Sequence, residues 1–189
     1  GTLLIQMGKN KGAEVFAKIG SAKKEDIVKS LGADYVIDYN KSDYEQQIAG
    51  ILGQNRLDVS FNPIAGDTFK KDFNLLGSAG RLFLFGGAQM SSGKWGVFSM
   101  LNFILKMGRP LPIGYMMRSK SVLGVNMLKI ADNKPQVLAN CLKEVFDLYR
   151  AGKIKPQSGG VYSVAKFDDA FSTLASGKST GKIGVKWED

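Results

Sequence analysis

VFAKIGSAKKEDIVKSLGADYVIDY, residues 15–39, says more about this chain than any other stretch. Residues 14–19 read as a strand, 23–31 as a helix stopped by Gly32, and 35–38 as a second strand. A strand, helix and strand of these lengths form a right-handed βαβ unit on a parallel sheet. The turn between them, Gly20-Ser21-Ala22-Lys23-Lys24, is small, polar and basic. In a dinucleotide-binding α/β sheet the turn after the second strand meets the adenosine ribose. A carboxylate there holds a free 2′-hydroxyl, and a basic residue accommodates a 2′-phosphate. No carboxylate lies between Ile19 and Lys24, so the turn leans towards NADPH over NADH.

The alternation continues on both sides. Residues 2–11 read as a helix ended by Gly12. Residues 42–52 read as another, with Ser42 and Glu45 spaced as a capping box. A strand at 57–61, a helix at 68–76 and a strand at 81–85 follow. The last is apolar, as in a strand buried on both faces. Beyond Gly86 comes a polar loop at 89–94, then an apolar run at 95–107 and a loop at 109–118. Residues 121–126 read as a strand. Residues 135–151 read as an amphipathic helix with Val137, Leu138, Cys141, Leu142, Val145, Phe146, Leu148 and Tyr149 on or near one face. The tail reads as strand 160–163, helix 168–175 and strand 182–187. The fold class is α/β, a Rossmann-type doubly wound parallel sheet. Its first strand, central in the order 3-2-1-4-5-6, has no candidate, because Gly1 leads directly into a helix. The chain therefore reads as a piece of a larger protein.

Composition narrows the function classes. The 189 residues suit one domain plus a fragment of another, and 44% hydrophobic with 23% charged residues is ordinary for a globular protein. A single cysteine, Cys141, excludes an internal disulfide framework and a cysteine-cluster zinc site, and its helical setting predicts a buried, inert thiol. The absence of histidine removes imidazole as base or metal ligand. The net charge of +9 is spread along the chain, which argues against a nucleic-acid interface and for a basic surface that attracts anionic ligands. No signal peptide or transit sequence opens the chain, and a cytoplasmic location is the default.

GTLLIQM at 1–7, GSAKKEDIVKSLGADYVIDY at 20–39, LDVSFNPIAGDTF at 57–69, GSAGRLFLFG at 77–86 and the tail from 151 to 187 together resemble the cofactor domain of medium-chain dehydrogenase/reductases. The zinc-independent quinone oxidoreductase branch is the most similar. The resemblance implies residues 1–152 as an N-terminally incomplete NADP(H)-binding domain, and 153–189 as a segment returning to a catalytic domain. It assigns Gly1 to the last glycine of the pyrophosphate turn, with helix amides and dipole facing the phosphates. Gly20, Ser21 and Lys24 form the 2′-phosphate turn, with Tyr39 close by. Asn62 and Ile64 fall near the adenosine, Phe85, Gly86 and Gly87 near the nicotinamide ribose, and Val125 and Asn126 beside the nicotinamide. The family more often has Asp-Ser-Val where this chain has Asn62-Pro63-Ile64, and Pro63 removes a backbone donor.

The reaction implied is hydride transfer from NADPH to a quinone or to an enone, an α,β-unsaturated carbonyl, without zinc. The substrate would be small and apolar, and no catalytic or metal-binding residue is assigned. A homodimer joined through the strand at 121–126 is expected. The Met- and aromatic-rich run at 95–117, flanked by Lys94, Lys106, Arg109 and Arg118, reads as a cover for the site or a subunit contact, a substrate wall, or a peripheral lipid contact. It is too short and interrupted to span a bilayer. Three alternatives stand beside this reading. One is a nucleotide-binding, lipid- or membrane-associated relative without activity. Another is a zinc-containing alcohol dehydrogenase-type member whose ligands lie elsewhere. The third is a methyltransferase, against which Ser21 and Lys24 argue.

Overall fold

The computed structural model describes residues 1–86, 105, 112–177 and 179–187. Two compact units divide the chain. One contains residues 1–44 and 140–189, the other residues 45–139.

In the first unit, α1 (Thr2–Asn10) leads to β1 (Phe16–Ile19), a 3-10 turn (Ala22–Lys24), α2 (Glu25–Ser30) and β2 (Tyr35–Asp38). β1 and β2 pair in parallel, Phe16 beside Tyr35 through Ile19 beside Asp38, as the 15–39 stretch predicts. Ile5 of α1, Ala17 and Ile19 of β1, Val28 of α2 and Ala33 form the core. The periodicity works because each helix turns one apolar stripe inward. The chain's tail forms a second parallel pair, β6 (Ser158–Ser163) and β7 (Lys182–Lys186), with α8 (Phe167–Ala175) crossing between them. Gln6 and Asn10 of α1 reach across to the start of the tail. Gln6 donates to the carbonyl of Lys155 (3.0 Å), and Asn10 to that of Lys153 (2.6 Å).

In the second unit, α3 (Tyr44–Leu52), whose first residue closes the other unit, starts two residues after the predicted cap Ser42. It is followed by β3 (Leu57–Asn62), α4 (Asp67–Leu75) and β4 (Leu76–Leu84). After residue 111 come α5 (Pro112–Met117), β5 (Ser121–Gly124) and α6 (Met127–Asn133). β3, β4 and β5 form a parallel sheet in that order. β4 starts five residues earlier than predicted, but its pairing is broken. Leu57 pairs with Leu76 and Val59 with Arg81, so residues 77–80 bulge out, with Ala79 left-handed at φ 62°. Phe69, Phe73, Leu76 and Leu82 form this unit's core. Lys120 anchors the entry to β5, donating to the carbonyl of Phe73 (2.9 Å) in the last turn of α4, and burial pushes its ammonium pKa down.

Within each unit the pairings, β1 with β2 and β3–β4–β5, repeat neighbour relations found in the order 3-2-1-4-5-6, as 3-2 and as 4-5-6. No described strand pairs with both. Two expectations are corrected. β4 is buried on one face, not two: Leu82 is wholly buried, whereas Arg81 is exposed and Phe83, stacked on Phe61, is half-buried. The helix at 135–150, α7 (Pro135–Arg150), has the predicted bounds but no buried residue, so Cys141 is exposed. Sequence periodicity identifies an apolar stripe, but burial also needs a partner surface, and among the described residues only Leu138 and Leu148 of this helix reach half-burial.

Candidate functional site

Ligands of parallel α/β sheets bind at the carboxyl ends of the strands. In the first unit that rim holds Gly20, Ser21, Lys24 and Tyr39, four of the residues expected there. Tyr39 crosses over Gly20, and a Cβ on Gly20 would collide with the phenol. Glycine lets the phenol lie this close, and a larger residue would push the ring aside. Asn40 ties the two strand ends together, its Nδ2 donating to the Gly20 carbonyl (2.7 Å) while its amide donates to Asp38 Oδ1 (3.0 Å). Sequence reasoning missed Asn40; its signal was the strand-ending Asp38, whose side chain can close an Asx turn onto the amide two residues on.

Ser21 stands at the cap of the 3-10 turn in extended conformation, φ −164° and ψ 134°, yet its side chain makes no capping hydrogen bond. The turn closes through the backbone instead, Lys24 N donating to Ser21 O (3.0 Å). The hydroxyl is therefore available to a ligand. Lys24 is half-buried and its Nζ donates to the carbonyl of Gly177 (2.7 Å), just past the end of α8. Gly1 is the cap of α1, exposed, with nothing within 4 Å of where a Cβ would stand. The first turn of α1 carries no acidic residue, so its positive dipole end is not neutralised locally.

The rim of the second unit is built differently. Asn62 is 1% exposed. Its Nδ2 donates to Thr68 Oγ1 (2.8 Å) and to Asp72 Oδ2 (2.7 Å), while its Oδ1 accepts from the amides of Ile64 (2.9 Å) and Ala65 (2.8 Å). The side chain expected at the adenosine is thus committed to the interior. Pro63 has no N–H and the next two amides are taken, so what this turn offers a ligand is the half-buried Ile64 side chain and main-chain carbonyls. Thr68 and Asp72 were not anticipated. Asp72 follows Phe69 by three residues and precedes Phe73, which places a carboxylate on the apolar stripe of α4, a pattern that calls for a buried partner.

Phe85, 41% exposed, donates its amide to Asn62 O (3.3 Å), and a Cβ on Gly86 would run into the carbonyl of Pro63. Val125 N donates to Leu84 O (2.7 Å), and Asn126 Oδ1 caps α6 by accepting from Lys129 N (3.2 Å). Phe85, Gly86, Val125 and Asn126 therefore share the carboxyl rim of the β3–β4–β5 sheet with Ile64. Gly87 lies outside the described residues, as does most of the run at 95–117. Of that run Leu105 and α5 are described, with Ile113, Met116 and Met117 exposed and Tyr115 packed edge-on against Phe73.

No group of three His, Cys, Asp or Glu side chains able to hold a metal ion occurs among the described residues. With no histidine in the sequence, these residues do not suit zinc. None of the described helices is long and apolar enough to cross a membrane.

The synaptic vesicle membrane protein VAT-1 homolog of Danio rerio is 28% identical over 164 residues, 86% of this chain and 34% of that protein. Among solved structures, the quinone oxidoreductase of Thermus thermophilus, determined also in complex with NADPH, superposes with a TM-score of 0.73 at 24% identity, covering 98% of this chain and 54% of that one. The CurK enoyl reductase superposes with a TM-score of 0.73 at 21% identity, covering 97% of this chain and 50% of that one. The chain thus spans about half the length of these solved structures and about a third of the fish relative. The sequence profile of the zinc-binding dehydrogenases matches residues 1–143. The chain belongs to the zinc-binding dehydrogenase family of the medium-chain dehydrogenase/reductases and represents part of its cofactor-binding half.

Proposed function

We propose that this chain is most of the cofactor domain, 1–152, and a returning segment of the catalytic domain, 153–189, of an NADPH-dependent oxidoreductase that reduces quinones or α,β-unsaturated carbonyls without zinc. One observation carries the cofactor choice. The turn after β1 combines a hydroxyl left free by its own helix, a lysine and a tyrosine, with no carboxylate between Ile19 and Lys24. Ser21 and Lys24 would hold the 2′-phosphate, with Tyr39 beside it, and Gly1 would present the amino end of α1 to the pyrophosphate. Bound NADPH would supply the hydride. Ile64, Phe85, Gly86, Gly87, Val125 and Asn126 would line the remaining length of the cofactor. Asn62 would act indirectly, by shaping the turn that presents Ile64. The quinone oxidoreductase and enoyl reductase neighbours support the reaction class. The protein would be a cytoplasmic homodimer joined along β5, an edge strand of its sheet.

Binding of NADPH and NADH to the full-length protein tests the reading. NADPH should bind about 10- to 100-fold more tightly, the worth of a charge-assisted hydrogen bond or two. Lys24→Ala should remove most of that difference. Equal affinities unaffected by Lys24→Ala would overturn it.

A second reading, a nucleotide-binding lipid adaptor, is favoured by the exposed Ile113, Met116 and Met117 beside Arg118. Co-sedimentation with anionic liposomes, in the absence of turnover across a panel of enones and quinones, would select it.

A further inference from the structure

Lys24 is bonded to two places in the chain. Through its backbone it closes the turn that begins at Ser21, and through its ammonium it holds the carbonyl of Gly177 at 2.7 Å. Gly177 follows the last residues of α8. Its own amide donates to Leu174 O (3.2 Å), and Ser176 N donates to Ser172 O (2.9 Å). The Gly177 carbonyl thus lies at the negative end of the α8 dipole, where a cation is stabilising. The first turn of α8 carries Asp168 and Asp169, and its last turn carries no basic residue. Lys24, 153 positions away, brings a cation to the end of a helix whose own last turn has none.

Lys120 provides an internal comparison. It donates in the same way to a carbonyl at the end of α4, but it is partly buried and packs its ammonium 5.0 Å from the Phe73 ring. The bond made by Lys120 is part-buried. The bond made by Lys24 is exposed, and the uncommitted Ser21 hydroxyl belongs to the same turn.

We propose that Lys24 is a two-position residue. Without cofactor its ammonium caps α8; with a 2′-phosphate bound it turns to the phosphate and releases Gly177. This rests on the NADPH reading above. A phosphate dianion is a stronger partner for an ammonium than a neutral carbonyl. Cofactor type would thereby be reported to the α8–β7 connection, and a cofactor lacking the 2′-phosphate would leave the cap closed.

The test is amide hydrogen exchange across 172–182 in the full-length protein, with adenosine 2′,5′-bisphosphate and 5′-ADP as probes. In the free protein Lys24→Ala should speed exchange at the end of α8 by about two- to five-fold, the worth of a cation at a helix carboxyl terminus. Adenosine 2′,5′-bisphosphate should produce the same change in the wild type and none in Lys24→Ala, while 5′-ADP should leave exchange unaltered. If adenosine 2′,5′-bisphosphate binds more weakly to Lys24→Ala but moves no exchange at 172–182, the switch is overturned and the NADPH reading stands. If the two nucleotides bind equally and the substitution changes neither, both fall. Lys24→Arg keeps the charge and should retain the cap, which separates loss of the cation from general loosening of the turn.

Discussion

The turn after β1 leaves its polar side chains facing outward, whereas the turn after β3 folds them in. Both follow a strand of a parallel sheet, and both read from sequence as ligand contacts. In the first, the Ser21 hydroxyl makes no cap and the Lys24 ammonium holds one exposed carbonyl. In the second, Asn62 bonds four groups of its own unit and is 1% exposed. The contrast separates two uses of one topological position. Groups that bind must be left unsatisfied by the fold, and groups that shape a turn must be satisfied completely.

The largest test of this difference lies in the second turn. Where the family more often carries aspartate, this chain has Asn62, and Asp72 Oδ2 accepts its amide hydrogen at 2.7 Å. Asn62→Asp would set two carboxylates against each other in a buried site and should cost about 3 kcal/mol of stability. Asp72→Asn added to it should restore much of that loss, because one carboxylate and one amide would again face each other. Urea unfolding of the four proteins in a double-mutant cycle measures the coupling. If Asn62→Asp unfolds at the wild-type midpoint, the second turn is not held by this network and the contrast is lost.

The two glycines sharpen it further. A Cβ on Gly86 would meet the main-chain carbonyl of Pro63, which can give way only if the turn moves. A Cβ on Gly20 would meet the ring of Tyr39, a side chain 52% exposed and free to swing outward. Gly86→Ala should therefore cost about 2–3 kcal/mol and Gly20→Ala about 1 kcal/mol. Thermal unfolding ranks them, and tyrosine fluorescence or the NMR signals of Tyr39 should report its displacement in Gly20→Ala alone. The reverse ranking would mean that the first rim is the more rigid.

Much of the fold was legible because the periodicities are clean. β2 and α7 have the predicted bounds or nearly so. The bulge at 77–80 was not legible. Its cause is a long-range bond, Ala79 N donating to Ser119 O (2.6 Å), with both residues left-handed at φ 62° and 48°. The placement of Gly20, Ser21 and Tyr39 at the strand ends was legible from residue order. The inward commitment of Asn62 was not, because it depends on Thr68 and Asp72, six and ten residues away on α4. Nor was the grip of Lys24 on Gly177, which joins distant parts of the chain.

The smallest expected effect tests whether polar contacts elsewhere in the first unit carry structural weight. Lys9 Nζ lies 2.8 Å from Asp34 Oδ2, and Val15 N donates to the same oxygen (2.7 Å), joining α1 to the entries of β1 and β2. The lysine hydrogen bond first, and the Val15 amide second, hold the Asp34 carboxyl below the usual carboxylate range. A depressed carboxylate stabilises the fold above its unfolded pKa of about 3.9, and that contribution is lost as pH falls through the lower folded value. Both side chains are about a third exposed, so solvent screens the pair and Asp34→Asn should cost only about 0.5 kcal/mol at pH 7. The difference from wild type should shrink to nothing once the pH drops below the folded pKa, as denaturant midpoints across an acid series would record. A loss comparable with that of Asn62→Asp would mean that the exposed contacts of the first unit hold it together as firmly as the buried network holds the second, and the contrast between the two turns would no longer stand for a contrast between the units.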